Sequence, residues 1–256
     1  MSGKSSKIAL VTGAAKRIGR AIALDLARKG YQIAVHYNRS ASDAQGVVDE
    51  IIKAGGMARS FQADLSDEQD VQDLVPNVVA AMGRLDVLVN NAAIFEAEDW
   101  HQVTHASWDA HLDINLRAPF VLMQNFAKAM PAGNAGAIVN IIDQRVWNLN
   151  PHFISYSVAK SGLWTLTQTM ALAFAPNIRV NAIGPGPTLP SSRQSEGDFR
   201  AQFEAIPLKK SIDINEICMG INYLINAKSM TGQMLALDGG EHLGWAQPVG
   251  NFTAIE

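Results

Sequence analysis

The 256-residue sequence predicts a single α/β domain with a doubly wound, seven-stranded parallel sheet flanked by helices. Three observations carry that expectation. Short β-rich runs alternate with longer helical patterns along the chain, as parallel strands with crossover helices require. The first three helical patterns each stop at a glycine. A glycine-rich turn, Thr12-Gly-Ala-Ala-Lys-Arg-Ile-Gly19, joins the first apolar strand to the first apolar helix. With 48% hydrophobic and 18% charged residues, the chain can bury a sizeable core across residues 1–256 as one domain.

In chain order, strands are expected at Ile8–Val11, Gln32–His36, Ala58–Gln62, Asp86–Asn90, Gly136–Ile142, Ile178–Ile183 and Gln233–Leu237. The helices between them run from Arg17 to Lys29, stopped by Gly30; from Ser42 to Ala54, stopped by Gly55-Gly56; and from Asp67 to Met82, stopped by Gly83. Later helices are expected over Trp108 to Met130, Ser155 to Ala175 and Asn215 to Ile225. Residues 184–211 are left as one long irregular stretch, and a loop of that length inside a compact domain points to a substrate loop.

A net charge of -3 gives no electrostatic footprint for nucleic acid or an anionic membrane surface. No run approaches the roughly 20 apolar residues that span a bilayer. The run Ile8-Ala-Leu-Val11 is too short for the hydrophobic region of a signal peptide, so a cytoplasmic location is expected. The single Cys218 excludes an intrachain disulfide, and the histidines at 101, 105, 111, 152 and 242 lack metal-ligand spacing, so no metal is expected. Partners are expected to be small molecules and sister subunits.

The glycine turn follows a strand and opens a helix, the context in which a glycine pattern becomes a candidate dinucleotide site in a Rossmann-like fold. Gly13 permits the tight turn, Gly19 lets the helix approach the sheet, and free backbone N–H groups at the helix start can receive a pyrophosphate. An ordinary strand-to-helix turn is the bland alternative. An NAD-preferring site would carry Asp or Glu after the second strand. This chain reads His36-Tyr-Asn-Arg39-Ser40 there, and Arg17 lies in the turn, so two guanidinium forks are available for a 2'-phosphate. That pattern favours NADPH over NAD, against the alternative of two solvated surface arginines.

Tyr156 and Lys160 sit one helical turn apart in Ser155-Tyr-Ser-Val-Ala-Lys160. With the glycine turn, Ala63-Asp64-Leu65, Asn90-Asn91-Ala92-Ala93, Asn115, Pro185-Gly186-Pro187-Thr188 and Asp238-Gly239-Gly240, they occur in an order that resembles the short-chain dehydrogenase/reductase family over nearly the full length. The resemblance implies a cofactor set of Gly13, Lys16, Arg17, Ile18, Gly19, His36, Arg39, Ser40, Asp64, Leu65, Asn91, Ala92, Ala93, Tyr156, Lys160, Pro185, Gly186 and Thr188. It also implies a homotetramer, a role for Lys160 on the nicotinamide ribose, and a water held by Asn115 that feeds protons to that lysine. Read in isolation, Asn115 can equally cap or kink its helix.

The departures from the family pattern narrow the branch. The family's usual catalytic serine, thirteen residues before the tyrosine, is Asp143; the middle glycine of the turn is Arg17; and the last glycine of the Asn-Asn-Ala-Gly segment is Ala93. Together with His36-Tyr-Asn-Arg39-Ser40 and Phe95, these residues resemble pteridine reductases and the bacterial dihydromonapterin reductases related to them, which implies a pterin substrate.

Physics supports the departure at position 143. A carbonyl reductase needs a donor facing the developing oxyanion, where Asp143 presents a carboxylate. Reducing a C=N bond needs a proton donor instead, and Tyr156 can be that acid. Lys160 favours the tyrosinate, whereas a neighbouring Asp143 favours the protonated phenol and can accept its hydrogen bond. With the roles that the resemblance implies for Lys160 and Asn115, catalysis is assigned to Asp143, Tyr156, Lys160 and Asn115, and substrate binding to Arg17, Phe95, Asp143 and Tyr156. Phe95 would stack on a flat heterocycle, although a lone Phe is ordinarily core.

Trp147, Phe153 and the segment from Leu189 to Phe199 either border the substrate or serve as packing and surface. The tail His242-Leu-Gly-Trp245 and the two long apolar helices hint at assembly, although helix hydrophobicity is more often intrachain packing. Three readings stand: an NADPH-dependent pterin reductase, a reductase of another small carbonyl or imine compound, and a non-catalytic cofactor-binding sensor.

Overall fold

The computed structural model describes residues 6–191 and 193–244. Seven strands form one parallel sheet: β1 (Ile8–Val11), β2 (Gln32–Tyr37), β3 (Ala58–Gln62), β4 (Val87–Asn90), β5 (Gly136–Ile141), β6 (Ile178–Pro185) and β7 (Met234–Leu237). Their order is β3-β2-β1-β4-β5-β6-β7, all pairs parallel. This is the expected Rossmann-like architecture. All strand positions agree with the sequence to within two residues.

The central strands are short and apolar because both faces are covered, whereas the edge strand β3, Ala-Arg-Ser-Phe-Gln, is only partly buried. Ala9 and Val11 of β1 join one cluster with Ile22 and Leu26 of α1 (Arg17–Arg28), Val47 of α2 (Ala41–Lys53) and Leu224 of α8 (Ile214–Asn226). Ile8 and Leu10 point the other way, into a second cluster with Leu74 of α3 (Glu68–Met82), Leu122 of α5 (Ala118–Ala129) and Leu163 of α6 (Ile154–Ala173). The period-2 side-chain alternation of each strand thus feeds two helical layers. Asp67 caps α3 by accepting from the Gln69 and Asp70 N–H groups, and Gly83 ends it in the left-handed region at φ +93°.

Two expectations need correction. The helix expected over Trp108 to Met130 is interrupted: α4 (His105–Leu112) starts earlier, at a Thr104–Ser107 capping box, and a single wider π-helical turn, Asp113–Arg117, separates it from α5. Pro119 has no N–H to return to the carbonyl four residues back, at Asn115, and the Asn115 side chain is bonded across to Ile94, so regular α spacing is lost where Asn115 sits. The stretch 184–211 is likewise not one irregular loop. β6 continues to Pro185, and α7 (Glu196–Glu204) forms within the stretch, started by Ser195 and Asp198 bonding to each other's backbone N–H groups. No residue of α7 is buried, so it lacks the apolar periodicity that marks a helix, but Ser195-Glu-Gly-Asp198 is itself a start signal.

Strand order reverses direction between β1 and β4, which opens a crevice at the carboxyl end of the sheet. The segments leaving β1, β4, β5 and β6 carry most of the residues singled out from the sequence, while Arg39 and Ser40 follow β2 and Asp64 and Leu65 follow β3.

Candidate active site

At the end of β1 the chain turns at Gly13, with φ +63°, and enters α1. Gly19 packs so closely on this turn that an added Cβ would lie 2.2 Å from the Gly13 carbonyl oxygen and 2.5 Å from Asn91 Nδ2. Asn91 braces the turn by donating 2.8 Å to the Thr12 carbonyl, while Thr12 Oγ1 accepts from the N–H groups of Asn91 and Ala92. The backbone is thus held as a cradle that only glycines allow, and its shape fits the pyrophosphate of a dinucleotide.

His36 lies under this cradle. It is 2% exposed; Nδ1 accepts from the Gly13 N–H at 3.0 Å and Nε2 donates to the Ala63 carbonyl at 3.1 Å, which fixes a neutral tautomer. Burial pushes its pKa down to about 4. Both ring nitrogens being occupied, His36 shapes the cradle from below. Leu65 is likewise 6% exposed and part of the core.

Arg17 and Arg39 do not converge as expected. Arg17 adopts φ +54°, and its guanidinium donates to the carbonyls of Pro190 (2.9 Å) and Leu189 (3.3 Å), in the segment after β6. Arg39 stays at the other end, near Asp64, whose carboxyl is held low first by its bonds from Ser66 and also by Asn38 and Arg39. Lys16, in an exposed ion pair with Asp43 at 3.0 Å, lies toward α2, which begins just after Ser40.

The segments after β1, β4, β5 and β6 enclose a cavity of about 290 Å³. Arg17, Ile18, Asn91, Ala93, Phe95, Asp143, Tyr156, Lys160, Pro185, Gly186 and Thr188 line it, which gathers most of the sequence-selected residues into one place. An added Cβ at Gly186 would sit 2.7 Å from the Asp238 Cα, so β6 and β7 touch backbone to backbone here. Thr188 Oγ1 donates to the Gly186 carbonyl at 2.9 Å.

Asp143 and Tyr156 meet at the centre. The Tyr156 hydroxyl donates to Asp143 Oδ2 at 2.9 Å, and Asp143 Oδ1 accepts from the Arg145 N–H at 2.9 Å. Burial, then the Asp143 charge, push the phenol pKa well above 10; Arg145, rather than the expected Lys160, is the cation that opposes the rise. Lys160 Nζ donates to the Ile141 carbonyl at 2.8 Å and lies 5.7 Å from the Tyr156 ring centroid. Burial lowers its pKa to about 8 despite the raising effect of Asp143.

Asn115 accepts from the Ile94 N–H and donates to the Ile94 carbonyl, both at 2.9 Å, and so anchors the segment carrying Phe95. One face of Phe95 is already taken: its ring stacks on Phe153 at 4.4 Å and meets Tyr156 edge-on at 4.6 Å. Phe153 is core, at 1% exposure, whereas Trp147 is 42% exposed and packs edge-on against Trp164 and His242. Of the 189–199 segment, Leu189, Ser191 and Gln194 reach the cavity. Trp245 lies outside the described residues.

Two acidic residues escaped the sequence reading. Glu98, 7% exposed, accepts the Ser155 N–H at 2.7 Å and the Ser155 hydroxyl, clamping the start of the helix that bears Tyr156. Glu241, just past β7, lines the cavity itself. Among the described residues no helix is long and apolar enough to cross a membrane, and no group of His, Cys, Asp and Glu has the geometry of a metal site.

Comparison with known proteins agrees with this geometry. The family model for short chain dehydrogenase matches residues 7–201. The crystal structure of FolM alternative dihydrofolate reductase 1 from Brucella canis, complexed with NADP, shares 45% identity and superposes with a TM-score of 0.91, covering 95% of this chain and 96% of that one. A short chain dehydrogenase from Burkholderia cenocepacia in complex with NADP is 33% identical, with a TM-score of 0.86 over 91% and 97% of the two chains. Among curated sequences, the 3-oxoacyl-(acyl-carrier-protein) reductase FabG of Staphylococcus epidermidis is 35% identical over 243 residues, 93% of this chain and 100% of that protein. The chain belongs to the short chain dehydrogenase family.

Proposed function

We propose that this protein is an NADPH-dependent oxidoreductase that reduces the C=N bond of a pterin, with Tyr156 as proton donor. The single observation that carries this reading is the hydrogen bond from Tyr156 to the Asp143 carboxylate. NADPH, when bound, supplies the hydride. The glycine cradle would hold its pyrophosphate, with Arg39, Ser40 and Lys16 toward the 2'-phosphate and Lys160 and Thr188 toward the nicotinamide end. Support for NADP comes from the cofactor in the solved Brucella and Burkholderia relatives.

Tyr156 keeps its proton at neutral pH because burial and Asp143 both disfavour the phenolate. The phenol is then an acid ready for a ring nitrogen that gains charge as its neighbouring carbon is reduced. Proton resupply is assigned to Lys160, near neutrality with its pKa of about 8, and to a water at the Asn115 carbonyl, which Pro119 cannot engage. Arg17, Phe95 and the 189–194 segment would hold the flat ring. The homotetramer remains our proposal; the exposed Val158 and Leu172 on α6 support it, and light scattering tests it.

A second reading, reduction of a carbonyl as in the FabG relatives, is favoured by their sequence identity. It is disfavoured by a carboxylate where a carbonyl oxyanion would need a donor. Initial rates of NADPH oxidation with a dihydropterin, dihydrofolate and a panel of ketones separate the two. Turnover of the pterin-type substrates is expected, and turnover confined to ketones rejects the first reading. Tight NADPH binding with no accelerated oxidation by any of them would point to the sensor.

A further inference from the structure

We propose that Glu241 is a specificity-determining residue that reads the amidine edge of the substrate, accepting two parallel N–H groups such as the ring N–H and exocyclic amino group of a 2-amino-4-oxopyrimidine. This assignment rests on the pterin reading and goes beyond it, because it identifies which end of the ring the protein recognises and with what.

The observation behind it is an imbalance of hydrogen bonding in the cavity. Asp143 has both oxygens engaged, by Tyr156 and by the Arg145 N–H. Lys160 donates to Ile141, and Arg17 to Leu189 and Pro190. Glu241 lines the same cavity, and no described residue donates a hydrogen bond to its carboxyl. The Glu241 oxygens stay open to the cavity rather than sealed from solvent, so a ligand that displaces water there must bring donors of its own.

Its placement is rigid. Glu241 opens a short 3-10 turn, Glu241–Leu243, wrapped around the buried Asp238. Asp238 accepts from the Gly240 N–H at 3.0 Å and the His242 N–H at 2.7 Å, and pairs with His242 Nδ1 at 2.6 Å. Asn148 Nδ2 donates to the Glu241 carbonyl at 3.1 Å, tying the turn to the segment that follows Asp143. A fixed carboxylate can make the paired, charge-assisted bonds that an amidine edge matches. A ketone offers no such donors.

The charged and titratable groups around it are Asp143 and Arg145 beyond β5, Arg17 at the start of α1, Tyr156 and Lys160 on α6, and Asp238 and His242 on its own turn. Burial first, then Asp143 and Asp238, raise the Glu241 pKa to about 7 against the lowering effect of Arg145. A protonated carboxyl offers one donor and one acceptor, a mismatch to two donors, so substrate capture weakens as pH falls through that value.

The test is steady-state reduction of 7,8-dihydrobiopterin at saturating NADPH across about pH 5.5 to about 9, for the wild type, Glu241→Gln and Glu241→Asp. Loss of charge-assisted bonds predicts a KM at least about tenfold higher in the Gln variant, a larger change than in kcat. The wild-type fall in kcat/KM below about pH 7 should vanish with Gln and persist with Asp. Wild-type turnover together with a Gln variant of unchanged KM and unchanged acid limb overturns this assignment alone, as does an Asp variant that lacks the limb. A wild type that reduces ketones but not dihydrobiopterin overturns both this assignment and the pterin reading.

Discussion

The Tyr156 hydroxyl donates a 2.9 Å hydrogen bond to Asp143 Oδ2, thirteen residues upstream in sequence and at the end of a neighbouring element. In this arrangement the carboxylate stabilises the protonated phenol twice, by accepting its bond and by opposing a second negative charge. A serine in the same place would donate to a substrate oxygen instead. On the proposed reading, that single exchange suits the site to giving up a proton rather than to binding an oxyanion.

Replacing Gly19 by Ala inserts a methyl group 2.2 Å from the Gly13 carbonyl oxygen, backbone that cannot step aside cheaply. The cradle must deform. NADPH affinity should drop by about a hundredfold or more, and stability by about 1–3 kcal/mol. Fluorescence titration with NADPH and thermal melting check this; near wild-type affinity would mean the cradle does not seat the pyrophosphate.

Glu98 anchors α6 through Ser155. Burial pushes its carboxyl up, but the Ser155 bonds, aided by Ser107 and His111, outweigh that and leave it below the usual 4.5. Its contribution is therefore complete above about pH 4.5 and is lost as pH falls through the lower folded-state value. Glu98→Gln should cost about 2 kcal/mol at pH 7, with the gap to wild type narrowing in acid. Urea unfolding across pH measures it, and a gap that widens in acid contradicts the assignment.

His36 works with the opposite charge chemistry. Buried and neutral, with its pKa lowered from 6.5 to about 4, it binds a proton more weakly folded than unfolded. Stability should fall as pH drops from about 6.5 toward about 4, by about 3 kcal/mol from this residue. His36→Gln should flatten that slope; an equally steep slope in the variant would show that the acid sensitivity arises elsewhere.

Arg193 fastens the 189–194 segment over the cavity by donating to the Phe95 carbonyl at 2.6 Å and pairing with Glu96 at 2.8 Å. The pair with Glu96 is partly exposed and worth little by itself, so the effect of Arg193→Ala should appear in substrate positioning rather than in folding. KM for the substrate is expected to rise about three- to tenfold, with NADPH affinity held within about twofold. Equal weakening of both ligands would place the segment over the cofactor instead.

The central strands were legible because buried parallel strands are apolar runs, and the candidate cluster because Asp143, Tyr156 and Lys160 sit at fixed spacing around one strand end and one helix. What escaped was tertiary. Glu98 meets Ser155 across 57 residues, which no local pattern encodes. Arg17 turns away from Arg39 because of its own left-handed backbone and the carbonyls of Leu189 and Pro190. The π turn at Asn115 needed the bond to Ile94 as well as Pro119. Glu241 did leave a trace: an acidic residue immediately after Gly239-Gly240, at the carboxyl end of the last strand, lies where open α/β sheets bind ligands.

The most direct test is a pH titration of ring-labelled tyrosine by NMR, with the Tyr156 resonance assigned through Tyr156→Phe, in the wild type and in Asp143→Asn. Tyr156 is expected to keep its proton beyond pH 10 in the wild type and to titrate at lower pH once the charge at 143 is removed. A wild-type Tyr156 that ionises below 10, or one whose titration is the same in both proteins, would contradict that expectation.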